Sequence, residues 1–429
     1  MNIPAIKAPQ QEMMELLEEL AEFSAPGPGI SRLLYTPVWL QAQQFLQERM
    51  AALGMEVRTD QVGNVYGRFT GSQPSAKVIL TGSHIDTVLN GGKYDGAYGI
   101  AAAITALHYL QQTFGQPLRT VEAVAFSEEE GSRFPLAFWG SGNVTGLYDG
   151  SEADSCADSA GVTIASAMEA CGLGCKPGRV GDTIAEAEDA GGMTPHREDI
   201  GAYVELHIEQ GIVLEQSGLE IGIVEAIAGQ RRFIVKIGGT ANHAGTTPMG
   251  LRRDALAGAA EMLLAMEQAA LEAGDPLVAT CGKLEAAPGT PNVIPGEVQF
   301  TLDIRHSEAE ELERFCAGVQ AEFEEIAGRR GLALQLTATL ATTPAPMDKE
   351  LRALLEQLSQ QQGKSSRTMV SGAGHDAQLF APKCPTAMIF VPSRDGISHS
   401  PDEYSSPEEL AAGLNLLTAI LYELAYKES

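Results

Sequence analysis

The sequence predicts an α/β protein, a mostly parallel sheet covered by helices, with a second domain of βαββαβ order inserted into it. Three observations point there. Val78, Ile79 and Leu80, and the run 120–126, are apolar without a polar face, as in strands buried on both sides. The apolar stretch 100–114 lies between them and completes a strand–helix–strand unit, hence parallel strands. From 230 to 340 the order becomes strand, helix, two strands, helix, strand, that of a ferredoxin-like unit. The 429 residues exceed one typical core, so two domains are expected. The boundaries read as 1–212, an inserted 213–335, and a return at 336–429.

Residues 10–23 have helical spacing, with Met14, Leu17, Leu20 and Phe23 on one side. Gly27-Pro28-Gly29 breaks the pattern, and Thr36-Pro37 opens a second helix to about 53, proline suiting a first turn. Residues 55–57 and 64–69 read as strands around a turn at Gly63. Residues 151–200 are rich in Ala, Gly and Asp, with short helices. The run 202–208 resumes as a strand. In the inserted part, 230–237, 277–284, 296–305 and 332–340 read as strands, and 254–272 and 307–330 as helices. The chain returns through a helix at 349–362, a strand at 387–391 and a closing helix from Ser406.

A net charge of −27 argues against nucleic acid or an anionic membrane as partner. No stretch approaches the ~20 apolar residues of a membrane span. The N-terminus lacks a basic segment followed by an apolar core, so no signal peptide is expected. The six cysteines are scattered, and Cys171 and Cys175 lack the second pair of a zinc knuckle. A reduced, cytoplasmic setting is the expectation.

Four segments bring a potential metal ligand to a strand end: His84 with Asp95, Glu130, His207, and His399. In open α/β sheets function collects beyond the strand ends. A lone histidine is more often packed or exposed than a ligand, and that reading is kept for His108, His196 and His306. Three histidines and two carboxylates can hold two divalent ions, with Asp95, in its Gly-rich loop, as the bridge. Asp86 can accept from the other ring nitrogen of His84. Glu128-Glu129-Glu130 can be a solvated acidic turn, but a buried strand leads into it and Gly131 follows. Adjacent carboxylates can divide the work, one binding metal and one taking a proton from water. In the inserted part, Asn242-His243-Ala244-Gly245, Asn292 and Arg305 each have an ordinary reading as turn or surface residues. Met249 reads as a packing residue, and no phosphate-binding glycine pattern opens a helix.

The motifs HID, DG, EEEGSRF, ELHIEQG, NHAGTTPM and GISHSP resemble the di-metal amidases of the carboxypeptidase G and succinyl-diaminopimelate desuccinylase superfamily. RLLYTPVWL, VGNVYGR, FWGSGN, GQRRF and SGAGHDAQ are similar to the branch that holds N-carbamoyl-L-amino acid hydrolase, β-ureidopropionase and allantoate amidohydrolase. The resemblance implies two manganese or zinc ions held by His84, Asp95, Glu130, His207 and His399, with Glu129 as general base. It implies that the inserted domain is a lid and dimerisation unit whose His243 steadies the oxyanion across a homodimer. Gln210, Arg232, Asn292, Arg305, Gly374 and His375 are then substrate contacts. The implied reaction is hydrolysis of a ureido C–N bond on a small carboxylate. Allantoate is the first choice and N-carbamoyl-L-amino acids or β-ureidopropionate the alternative. A dipeptidase, or a non-catalytic binding protein on the same fold, is more remote.

Overall fold

The computed structural model describes residues 6–173 and 196–428. Cys175 and part of the 151–200 stretch therefore lie outside the described residues. The chain divides into two compact units. One comprises Met1–Glu225, Met347–Met369 and His375–Ser429, the other Ala226–Pro346 and Val370–Gly374. The second unit thus starts and ends later than the 213–335 read from sequence. The helix Val213–Ser217 and most of the strand Ile221–Ile227 belong to the first unit, the strand because it ladders onto Thr386–Val391.

The first unit is built on a large sheet. Its order is Glu56–Thr59, Val65–Phe69, Val121–Phe126, Val78–His84, Ile200–Ile208, Thr386–Val391, Ile221–Ile227, with Ser366–Ser371 also pairing Ile221–Ile227. The four central strands, Val121–Phe126 to Thr386–Val391, are parallel, so their C-terminal ends gather at one edge. Each is buried almost throughout, which explains why none shows a polar alternation. Helix Ala97–Phe114 covers the sheet and buries twelve residues, including Ile100, Ile104, Leu107 and Leu110. Helix Pro407–Tyr426 packs against it, started by a capping box in which Ser406 accepts from Glu409 N–H and Glu409 accepts from Ser406 N–H. The first helix, Gln10–Ala21, buries Met13, Leu16, Leu17 and Leu20. Of the residues expected inside, Met14 and Phe23 are only partly buried.

Gly82, inside the strand Val78–His84, has φ +149°, and a Cβ there would stand 1.9 Å from the Val124 carbonyl oxygen of the neighbouring strand. Only glycine lets the two backbones approach this closely. Gly82→Ala is expected to cost about 1–3 kcal/mol of stability, read as a lower urea midpoint.

The second unit carries a five-stranded antiparallel sheet. Its order is Leu284–Ala287, Glu297–His306, Gly229–Gly238, Ala333–Ala341, with Val278–Thr280 also on Glu297–His306. Helices Ala255–Ala273 and Ala309–Arg330 pack on it, completing βαββαβ. The expected single strand at 277–284 is two pieces. Residues 281–283 face only Thr301 and Leu302, an extra residue that breaks the ladder as a bulge. Met249 is 77% exposed, so it is not the buried packing residue that the sequence reading expected. Strand Ser366–Ser371 was not foreseen, because SRTMVS offers little apolar signal. Among the described residues no helix is long and apolar enough to cross a membrane.

Candidate metal centre

The parallel edge delivers the ligand candidates. His84 ends its strand, and His207 sits one residue from the end of the adjacent strand Ile200–Ile208. Asp95 precedes Gly96, whose φ of +65° turns the chain into helix Ala97–Phe114. A Cβ on Gly96 would stand 2.6 Å from the His84 ring, so the Asp-Gly pair is a packing requirement. Glu130 follows the strand Val121–Phe126, and His399 lies in the loop between Thr386–Val391 and the last helix. Gln210 and His399 both hold φ of +55°, backbone strain concentrated at the site.

All five converge. Asp95 Oδ1 lies 3.4 Å from His84 Nε2 and 3.2 Å from His207 Nε2. Asp95 Oδ2 lies 3.2 Å from His399 Nε2, which is 3.5 Å from Glu130 Oε1. The carboxylate thus offers one oxygen to each of two groups, His84–Asp95–His207 and Asp95–Glu130–His399, each within 4.8 Å. His207 Nδ1 donates to the Ile208 carbonyl at 2.9 Å, and His84 Nδ1 faces the Asp86 carbonyl at 3.1 Å and its carboxylate at 3.3 Å. Those contacts place the ring proton on Nδ1 and aim the Nε2 lone pair at Asp95. A lone pair facing a carboxylate oxygen at this distance is repulsive unless a proton or a metal cation lies between. Glu130 Oε1 is likewise buried without a hydrogen-bond partner among the described residues. The donor set therefore fits divalent cations.

With a proton in those gaps, burial pushes the Asp95 carboxyl up, but hydrogen bonds from His207, His399 and His84 outweigh it and hold it well below the carboxylate range. The bond to Asp95 raises His399 to about 9. Burial and the Asp95 charge raise Glu130 to about 7. Glu129 is pushed well up by burial, with Glu130, Asp376 and Asp86 adding to it against the opposing His84. The acidic turn is not a solvated one: Glu128 is 1% exposed and Glu129 8%. Asp86 holds it in place, accepting from Glu129 N–H at 2.9 Å and Glu130 N–H at 3.2 Å.

Residues 80–423 match the family profile described as Peptidase family M20/M25/M40. The chain belongs to this family. An allantoate amidohydrolase of Escherichia coli (strain K12) is 46% identical to it over 98% of this chain and 99% of its own. An N-carbamoyl-L-amino-acid amidohydrolase of Paenarthrobacter aurescens is 37% identical over 97% of this chain and 98% of its own. A solved amidase of the hydantoinase/carbamoylase family from Burkholderia multivorans superposes with a TM-score of 0.92 at 32% identity, covering 99% of this chain and 100% of its own.

Within this M20/M25/M40 chain the remaining candidates fall in both units. In the first, Gln210 donates to Asp95 Oδ2 at 2.9 Å, and His375 is buried with its ring centroid 4.6 Å from that of His207. Burial and the nearby His207 pull the His375 pKa well down, so it is neutral. In the second, His243 pairs with Val293 in a two-stranded ribbon, and Ala244 N–H donates to the Asn292 carbonyl. Gly245 N–H donates to His243 Nδ1 at 3.0 Å, which leaves the ring proton on the exposed Nε2. Arg232 and Arg305 share Asp303, with Nε–Oδ distances of 2.7 and 2.8 Å, in a cavity of about 780 Å³ that Gly372 also lines. Gly374 closes the short segment Val370–Gly374 of the same unit.

Sequence reasoning passed over three carboxylates. Asp303 lies two residues before Arg305 in FTLDIR, a spacing that puts both on one strand face and is the one signal available. Asp376 and Glu403 are buried, at 0% and 5% exposure, inside polar stretches that carry no such signal.

Proposed function

We propose that the chain hydrolyses a ureido C–N bond of a small carboxylate, allantoate first, giving ureidoglycine, ammonia and carbon dioxide. The observation that carries the chemistry is the convergence of three imidazole nitrogens and Glu130 around Asp95, with Glu129 buried beside them. The choice of substrate rests on the allantoate amidohydrolase relative.

His84, Asp95 and His207 would hold one divalent ion, and Asp95, Glu130 and His399 a second. Manganese and zinc both suit a mixed imidazole and carboxylate set. Such ions, when bound, supply positive charge that makes water acidic near neutrality and polarises a carbonyl. Glu129 takes the proton from the attacking water, and burial keeps its carboxylate basic enough to do so. His243, its proton on Nε2, donates to the developing oxyanion. Glu129 then returns the proton to the leaving nitrogen, and the carbamate left behind loses carbon dioxide. Arg232 and Arg305 present guanidinium groups to the substrate carboxylate. Gln210, Asn292, Gly374 and His375 complete the substrate contacts. The protein works as a cytoplasmic homodimer. Leu264 and Leu271, 66% and 72% exposed on helix Ala255–Ala273, support a face that a second copy covers.

A steady-state panel with added Mn2+ and an ammonia readout tests the substrate. Allantoate is expected to exceed N-carbamoyl-L-methionine and β-ureidopropionate in kcat/KM by at least about tenfold, a difference of about 1.4 kcal/mol. The reverse order would favour an N-carbamoyl-L-amino acid amidohydrolase, as the second relative suggests. No turnover of any, with less than one ion bound per chain, would favour a binding protein.

A further inference from the structure

We propose that Glu403 is a positioning residue for one half of the metal cage, a latch that ties the Asp95 loop to the Ser398–His399 loop and so sets the affinity for the second ion. The proposal rests on the two-ion reading above.

The two halves are built differently. His84 and His207 end neighbouring parallel strands, are 2% and 1% exposed, and have their Nδ1 protons on main-chain carbonyls. The two histidines of that half are in place as soon as the sheet is. The other half stands on turns. His399 lies in a loop at φ +55°, with its side chain half exposed, and Glu130 follows the acidic turn.

Glu403 bridges these loops. Its Oε1 accepts Tyr94 N–H at 3.0 Å and Asp95 N–H at 3.1 Å, and its Oε2 accepts the Ser398 hydroxyl at 2.8 Å. Asp95 keeps a second anchor, because its carbonyl accepts Ala97 N–H at 2.7 Å at the start of helix Ala97–Phe114. Ser398 keeps only the longer contacts of its hydroxyl with Asp95 Oδ2 and the Gln210 amide, both 3.4 Å, so the Ser398–His399 side loses more than the Asp95 side when the latch opens. Gly92 makes room for it: a Cβ at that position would stand 2.1 Å from Glu403 Oε1 and 2.5 Å from its Cβ. This accounts for one glycine of a Gly91-Gly92 pair that fits no phosphate-binding pattern.

The test titrates chelator-stripped full-length protein with Mn2+ alone, reading heat and bound metal. Wild type is expected to take up two ions, a tight one and a weaker one. His399→Ala identifies the weaker step by abolishing it. Glu403→Ala and Gly92→Ala are expected to weaken that step about 10–100-fold, the usual effect of losing a partner that orients a ligand. The tight step should move several-fold less. Glu403→Gln keeps an acceptor for both main-chain N–H groups and should restore most of the affinity. Ser398→Ala, which leaves those groups satisfied, should shift the weaker step in the same direction, so the test survives if Glu403→Ala does not fold. Equal weakening of both steps, or no change in Gly92→Ala and Ser398→Ala, overturns the latch. A wild-type protein that binds a single ion overturns the two-ion reading and the latch together, a failure seen before any variant is made.

Discussion

Glu129→Gln is expected to lower kcat about 10²–10⁴-fold while both ions stay bound. The amide keeps the size of the side chain, and the main-chain N–H of residue 129 still donates to Asp86. What is lost is the ability to take a proton from water. The measurement pairs kcat with metal content, because Glu129 also falls in a cluster with His84 and Glu130. An active variant with normal metal would remove Glu129 from the role of base. An inactive variant that has lost an ion would make it a ligand instead.

Asp95→Ala is expected to act in the opposite manner, abolishing activity by emptying the cage. Both oxygens of this one side chain are used, Oδ1 toward His84 and His207 and Oδ2 toward His399. No other residue of the cluster serves both groups of three that centre on Asp95. The variant should bind less than one ion per chain, and added Mn2+ should no longer raise its melting temperature. In wild type that stabilisation grows with metal concentration, by about 2.7 kcal/mol at a hundred times Kd. A variant that still melts higher with Mn2+ and retains one tight ion would show that the bridge is dispensable for the strand-borne half.

The site was legible where chemistry sits beside pattern. His84 and Asp95 follow an apolar strand within seventeen residues, and Glu130 and His207 also attach to buried strands, so periodicity and residue type pointed to the same place. The βαββαβ order was legible for the same reason, since each element is long and strongly patterned. What stayed hidden depends on partners distant in the chain. Glu403 reads as one more acidic residue in a polar loop, and its function exists only across the 309 residues that separate it from Tyr94. The boundary of the second unit was misplaced because Ile221–Ile227, an unbroken apolar run, gives no sign of which sheet it joins. On the first helix Leu17 and Leu20 face inward as read, but Met13 replaces Met14, because the two methionines are indistinguishable in sequence and packing alone selects Met13.

The orientation of His207 carries a genetic consequence. Its Nδ1 proton goes to the carbonyl of Ile208, a main-chain atom present whatever residue is encoded there. No single codon change outside position 207 can delete that acceptor. His399 has no such insurance in its neighbourhood, where a side-chain carboxylate at position 403 can be lost in one step. Inherited variation in cofactor retention should therefore accumulate on the loop side of the centre, while the sheet side stays silent.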